Sequence, residues 1–328
     1  MKLAVHLGLF LAGLMAATVQ AASGQPSRAS MFGTEYIRLD DWARARGGQV
    51  RWVVPKHAAK VTLPAGTLDV TVDSRKVTLR GVNLWVAAPV VLRGTSAYVA
   101  QADLTGTIQP LLFPAKLSAA RPVKTIALDA GHGGKDPGNL EGKRQEKQYT
   151  LLLVKDVREL LIKAGYKVCL TRASDTYIAP EVRPDLARQR GADLFVSLHF
   201  NSADAAGAAA VKGAEVFCLT PASAHSTNDR GERGATGAAP GNKHDTRNLL
   251  LAYHLQRALI GKAGAEDRGV KRARFAVLKN AEMPAVLIEA AFMTNAGDAR
   301  KIYDPAQRRV LAQAIVDGIK AYQQAVQR

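Results

Sequence analysis

Cysteine is nearly missing from this chain: among 328 residues there are only Cys169 and Cys218. Two cysteines cannot staple a disulfide-dense scaffold, and their spacing matches no cysteine metal site. Both lie in apolar, strand-like runs, so they read either as one disulfide of an exported protein or as two small buried hydrophobes. Acidic residues are the second deficit, with 28 Asp and Glu against 45 Lys and Arg and a formal net charge of +17. Residues 22–115 carry 11 basic and 6 acidic side chains, and residues 116–328 carry 33 and 22, so the excess is spread along the chain. Spread positive charge suits an acidic polymer such as a cell wall, or an anionic envelope surface. The focused stripe or known module of a nucleic-acid binder is missing, and no nucleic-acid partner is expected. No internal repeat is visible.

Long apolar runs are missing too, after the first twenty residues. The one such run, 3–19, follows Lys2 and leads into Val19-Gln20-Ala21, with small residues for cleavage near Ala21 or Ala22. That pattern predicts a secretory signal over 1–21. The run falls short of a membrane span, and no cysteine follows it to take a lipid. The mature chain is expected to have no transmembrane anchor and to work in the periplasm or at the cell wall.

What is present begins with enough apolar residue, 47%, to fill a sizeable core, and enough length for one large and one small domain. From Met31 to residue 113 the chain reads as a small β-rich domain. Tyr36-Ile37-Arg38-Leu39 precedes a short helix over 40–46, and strand-like runs follow at 50–54, 60–63, 68–72, 76–79 and 84–86. Tyr98-Val99 leads into a last segment, 101–112. No cluster of titratable groups there suggests chemistry. Residues 114–124, with Pro114, Ser118 and Pro122, read as a linker.

From Thr125 onward strands and helices alternate. Strands are predicted at 125–130, 166–171, 193–199, 214–220, 274–279 and 285–290, and helices at 146–163, 181–190, 246–262 and 305–325. Such alternation predicts an α/β domain over 125–328, a mostly parallel sheet with helices on both faces. Residues 221–245, rich in Gly, Ala, Ser and Asn, are expected to form a mobile loop on the site rim.

Four residues stand out, and three of them lie where such a sheet builds its sites, at or just beyond strand ends. His132 lies between glycines in Gly131-His132-Gly133-Gly134, His199 closes Leu194-Phe195-Val196-Ser197-Leu198, and Glu289 closes Ala285-Val286-Leu287-Ile288. Glu146 shares the helical face of Tyr149, Leu153, Val157 and Leu161, and an inward carboxylate needs a partner such as a metal. The plainer alternatives are buried histidines, a helix-start carboxylate at Glu146 favoured by the macrodipole, and a buried salt bridge at Glu289. Two imidazoles and two carboxylates together favour a zinc hydrolase site. Glu141 competes with Glu146 but lies in the preceding loop. Asp136 and Asn201 are candidates for positioning substrate or the ligands. His57, His225, His244 and His254 suit ordinary surface or core roles, and the run Arg268, Lys271, Arg272 and Arg274 reads as a solvated basic rim.

Those residues, with Asp136, Glu146-Lys147, Thr171-Arg172, the run from Asp193 to Asn201 and Met283-Pro284-Ala285-Val286-Leu287-Ile288-Glu289, appear in an order that resembles the zinc-dependent N-acetylmuramoyl-L-alanine amidases of the amidase-3 type, over 125–325. The resemblance implies that His132, Glu146 and His199 hold zinc and that Glu289 is the catalytic carboxylate. It implies peptidoglycan as substrate, cut between N-acetylmuramic acid and L-alanine, and admits a protein activator. Alternatives are an inactive wall-binding protein and a zinc peptidase cutting within the stem peptide, although that class places a glutamate soon after the first histidine. Ala290-Ala291-Phe292 departs from the family, where a glycine commonly precedes the phenylalanine. Some relatives insert an inhibitory helix near 203–247; here that region is Gly/Ala-rich, and little self-inhibition is expected. The small domain resembles the N-terminal module of copper amine oxidases through Tyr36-Ile37-Arg38-Leu39-Asp40-Asp41-Trp42, Val50-Arg51-Trp52 and Gly94-Thr95-Ser96-Ala97-Tyr98-Val99, which implies a binding or spacing role.

Overall fold

The computed structural model describes residues 26–114, 122–203, 207–227 and 237–327. The expected signal sequence, most of the expected linker, and 228–236 of the expected rim loop lie outside the described residues.

The N-terminal part opens with β1 (Arg28–Met31), β2 (Thr34–Arg38) and α1 (Leu39–Arg44). A meander follows: β3 (Gln49–Val54), β4 (Ala58–Leu63), β5 (Gly66–Thr71), β6 (Lys76–Leu79) and β7 (Val82–Trp85). β8 (Val91–Arg93) and β9 (Ser96–Ala100) pair with each other, and β9 with β2. Alternation decides which side is core: Val61, Leu68, Val70, Val77, Leu79 and Leu84 are buried, while their neighbours along each strand, mostly polar, are half-buried or exposed. The segment 101–112 is helical throughout, as α2 (Gln101–Asp103), a π-turn and α3 (Gln109–Leu112).

Beyond it come β10 (Thr125–Ala130), the hairpin β11 (Leu140–Glu141) and β12 (Arg144–Gln145), α4 (Glu146–Lys163), β13 (Lys167–Leu170), α5 (Arg183–Gln189) and β14 (Leu194–Asn201). β15 (Ala214–Leu219), α6 (Asp245–Ala263), β16 (Asp267–Ala273), α7 (Ala276–Lys279), β17 (Ala285–Phe292), α8 (Ala296–Tyr303) and α9 (Pro305–Gln327) complete the chain. Val154, Val157 and Leu161 of α4 pack with residues of α6 and α9 in a core that also holds Ile126, Val196, Val216 and Ile288. The alternate residues Phe195, Phe217 and Leu287 face the other way, against Ala187 of α5 and Val277 and Leu278 of α7. Helices therefore cover both faces, as expected.

One eleven-stranded sheet runs β13-β10-β14-β17-β15-β16-β7-β6-β5-β4-β3. Its first six strands are parallel except where β15 meets β17, and β7 to β3 are antiparallel. β7 lies parallel to β16, so the sheet continues across the expected domain boundary. At this joint the Asn83 amide donates to Asp267 Oδ2 at 2.7 Å and Trp85 Nε1 to the Arg268 carbonyl at 3.0 Å. Gly269 makes the approach possible: at φ 91°, a Cβ there would stand 2.9 Å from the Asn83 carbonyl oxygen.

Two predictions are corrected here. The strand expected at 274–279 lies at Asp267–Ala273, and Ala276–Lys279 is helical. The basic run read as a solvated rim belongs largely to that strand, with Lys271 and Arg272 buried. They tolerate burial because Lys271 reaches Glu215, while Arg272 donates to the Leu219 carbonyl and Thr107 Oγ1. Cys169 and Cys218 are free, on strands separated by three others, which rules out a bond between them.

Candidate metal centre

β10 ends in the turn that carries His132, at φ 61° in the left-handed region. Two buried arginines hold this turn. Arg172 Nε and Arg183 Nη1 both donate to the Ala130 carbonyl, at 2.9 and 2.7 Å. Arg172 Nη2 reaches the Gly131 carbonyl at 2.7 Å, and Arg183 Nη2 the His132 carbonyl at 3.0 Å. Buried Asp129 accepts from Arg183 Nη1 at 3.0 Å and from Ser197 Oγ at 2.7 Å. Gly131 has no spare room, since a Cβ there would fall 2.3 Å from the His199 ring.

Glu146 opens α4 with its carboxylate 1% exposed. Oε1 faces His199 Nδ1 at 3.0 Å and accepts from the Phe200 amide at 3.0 Å. Oε2 faces His132 Nε2 at 3.1 Å and accepts from the backbone and side-chain amides of Asn139, both at 2.9 Å. Asp136 Oδ2 lies 2.9 Å from the other ring nitrogen of His132. Ligand atoms of His132, Glu146 and His199 all lie within 4.8 Å of one another. Burial works against ionisation of Glu146, but the two imidazoles outweigh it and hold the carboxyl well below its usual range. Burial likewise opposes the charged form of His132, and Glu146 and Asp136 reverse the balance.

Glu289 pairs in register with His199 across β14 and β17. It borders the cavity, yet its Oε2 is sealed and has no hydrogen-bond partner among the described residues. Burial first, then the charges of Glu146 and Glu215, push its carboxyl well above the ordinary value, with Lys271 opposing. The cavity, about 440 Å³, also has Pro180, Phe275, Val277 and Leu287 in its wall. A sealed carboxylate beside two imidazoles and a second carboxylate can bind a divalent cation and pass a proton.

The four residues singled out from the sequence thus meet in one place, and Asp136 joins them. Asn201 does not line the cavity; its Nδ2 donates to Glu215 Oε1 at 2.9 Å. Glu141 is exposed on the β11–β12 hairpin. His254 is a half-buried histidine of α6, pushed down to about 4 by burial and by Arg257 and Arg80. Sequence reasoning missed Arg183, Asn139 and Glu215, and it quoted Arg172 only within the Thr171-Arg172 motif, with no role. Only Glu215 carried a usable signal, an acid inside the apolar run Ala214–Leu219 like Glu289 in its own strand.

Comparison with known proteins fits this geometry. Residues 126–321 match the model of the N-acetylmuramoyl-L-alanine amidase family. AmiA of Escherichia coli K12, named as an N-acetylmuramoyl-L-alanine amidase, is 32% identical over 259 residues, covering 72% of this chain and 88% of AmiA. The amidase LytC of Bacillus subtilis is 35% identical over 199 residues, 61% of this chain but only 35% of LytC. The amidase AmiC of Neisseria meningitidis is 34% identical, with 53% of its length matched, so the chain spans about a third to a half of these two relatives. Among solved structures, the catalytic domain of the amidase CwlV from Bacillus (Paenibacillus) polymyxa var. colistinus superimposes with a TM-score of 0.50 at 28% identity, over 62% of this chain and 99% of CwlV. The amidase CwlD of Clostridioides difficile, solved with the GerS lipoprotein, gives 0.51 at 27% identity over 61% of this chain and 98% of CwlD.

Proposed function

The chain belongs to the N-acetylmuramoyl-L-alanine amidase family, and from that premise we propose that it is an exported zinc amidase that cuts peptidoglycan between N-acetylmuramic acid and L-alanine. The observation that carries the reading is the convergence of His132, Glu146 and His199 beside Glu289.

Two imidazole nitrogens and one carboxylate are a donor set that catalytic zinc takes with a position left open. His132 Nε2 points inward while Asp136 holds Nδ1, the disposition of a metal-binding histidine. Zinc held there supplies Lewis acidity and an acidified water near neutral pH. Glu289 takes the proton of the attacking water and returns it to the departing alanine nitrogen, a shuttle its raised affinity for protons suits. Arg172 and Arg183 hold the His132 turn, so the ligand does not reorganise during turnover. Pro180, Phe275 and Val277 give the lactyl side of the substrate an apolar wall. That CwlD was solved in complex with the GerS lipoprotein supports a protein as a second partner.

The test is digestion of purified sacculi by the mature protein, with and without chelator, followed by mass spectrometry. Free stem peptides beginning at L-alanine, lost on chelation, are the expected products. Cleavage at another peptide bond would overturn the substrate assignment.

A further inference from the structure

A second cavity, about 390 Å³, opens at the other end of the strands that carry the metal cluster. Leu194 starts β14 and Pro284 precedes β17, and both line it, whereas His199 and Glu289 lie toward the far ends of these strands. Five residue steps of about 3.3 Å put roughly 16 Å between Leu194 and His199. No residue lines both cavities.

The wall of this cavity holds polar groups that the fold leaves unmatched. Tyr322 of α9 lines it while only 2% exposed, and its hydroxyl has no hydrogen-bond partner among the described residues. Burial pushes the phenol up to about 12, so it keeps a proton to donate. Arg247, in the first turn of α6, makes no ion pair and no side-chain hydrogen bond among the described residues. That end of a helix favours negative charge, so the fold itself gains little from a cation there. The Arg247 charge is felt at both Tyr322 and His244, which makes the three neighbours.

Asp193 lines the same space. Its Oδ2 accepts from the Lys124 and Thr125 amides, both at 2.8 Å, and its Oδ1 has no partner among the described residues. The remaining polar groups are spoken for. Glu282 is matched by Arg188 at 3.8 Å, and His244 Nε2 donates to the Glu282 carbonyl at 3.0 Å. Burial lowers the pKa of His244, which keeps it neutral at pH 7. One cation and one anion are left over, Arg247 and Asp193, and they make no ion pair with each other. A lone anion in the cavity would meet Asp193, and a lone cation would meet Arg247. A molecule with both charges answers both, and Met283, Pro284 and Val326 give it an apolar wall. The volume is at the small end for ligand sites, which excludes a polymer.

We propose that this cavity is a binding site for a small zwitterion, an amino acid or dipeptide, with its carboxylate at Arg247 and Tyr322 and its ammonium at Asp193. The site goes beyond the amidase reading and does not depend on it. Hydrogen bonds to charged groups at both ends of the ligand select against molecules that carry only one of them.

The test is isothermal titration calorimetry of the mature chain with L-alanine and L-alanyl-L-alanine, beside acetate and ethylamine as half-ligands. At least one zwitterion should bind saturably, about tenfold or more tighter than either half-ligand. Arg247→Met should weaken that binding about tenfold or more, Arg247→Lys less, and Tyr322→Phe about threefold. Glu289→Gln should alter it less than twofold, because the metal cluster takes no part. Thermal melts establish that each variant is folded, and if Arg247→Met is not, Arg247→Lys and Tyr322→Phe carry the test. Failure of both zwitterions to saturate, acetate bound as tightly as they are, or affinity indifferent to Arg247 and Tyr322 would overturn the site. So would an equal loss in Glu289→Gln, which would put the ligand at the metal cluster.

Discussion

Glu215 and Glu289 stand directly opposite each other on β15 and β17, two acids of which only one has cations. Lys271 and Arg268 both engage Glu215 Oε2, and Asn201 engages Oε1. Glu289 Oε2 has no hydrogen-bond partner among the described residues, and the charge of Glu215 raises its affinity for a proton further. One carboxylate is ion-paired while its neighbour is left protonatable, the separation of roles that proton transfer requires.

Glu289→Gln should abolish most turnover, by about 10²–10⁴-fold if the residue is the general base, with metal content unchanged. In the metal-free protein the same variant should be more stable than the parent at pH 7. The sign follows from linkage: the folded state keeps the Glu289 proton to a higher pH than the unfolded state does. Stability is therefore lost as pH rises from the ordinary value, 4.5, toward the raised one. Thermal melts should show a gain of a few degrees at pH 7 that vanishes near pH 4.

Asp136→Asn should weaken zinc binding by about 10- to 100-fold, because the carboxylate that orients His132 becomes a poorer acceptor. A competition titration against a chromogenic chelator measures this directly. Gly131→Ala should lose metal more completely, since its Cβ displaces the His199 ring. Unchanged zinc affinity in both would argue against the cluster as a metal site.

Lys271→Met should destabilise the fold by about 3–5 kcal/mol, the usual cost of removing one partner from a buried pair. Arg268 stays near Glu215 and is partly exposed, so the lower end is expected. Pairing the change with Glu215→Gln should recover much of the loss, a coupling that a double-mutant cycle in urea will show. Additive losses would mean that the pair does not act as a unit.

Arg183→Met should cost about 3–5 kcal/mol as well, because it leaves Asp129 buried without its cation. It should also weaken zinc binding, since the His132 carbonyl loses a donor and the left-handed turn its brace. Asp129→Asn with Arg183 retained should reduce stability while sparing metal affinity more, which separates the two roles.

Local chemistry in the sequence was enough for much of this. Apolar runs of strand length marked β10, β14, β15 and β17, and helical spacing marked α4, α6 and α9. His132, His199 and Glu289 stood out because polar groups at strand ends go against their surroundings, and Glu146 because it falls on the buried side of its helix. The remaining features depend on partners far along the chain. Lys271 and Arg272 looked like a solvated rim because a charge run has no burial signal of its own, and only Glu215, Leu219 and Thr107 make that burial affordable. Arg183 bears no mark at all until Asp129 and the 130–132 carbonyls are brought to it. The joint between β7 and β16 has no sequence signature either. It forms because Gly269 lets the Asn83 backbone approach and because Asp267 and Arg268 complete the hydrogen bonds of a strand 184 residues away. The sequence by itself determined which groups meet at the cavity, since residue type and local period are one-dimensional properties. Which charges are paired, and which carboxylate is left without a cation, were decided only by the tertiary structure, because burial and pairing belong to neighbours in space.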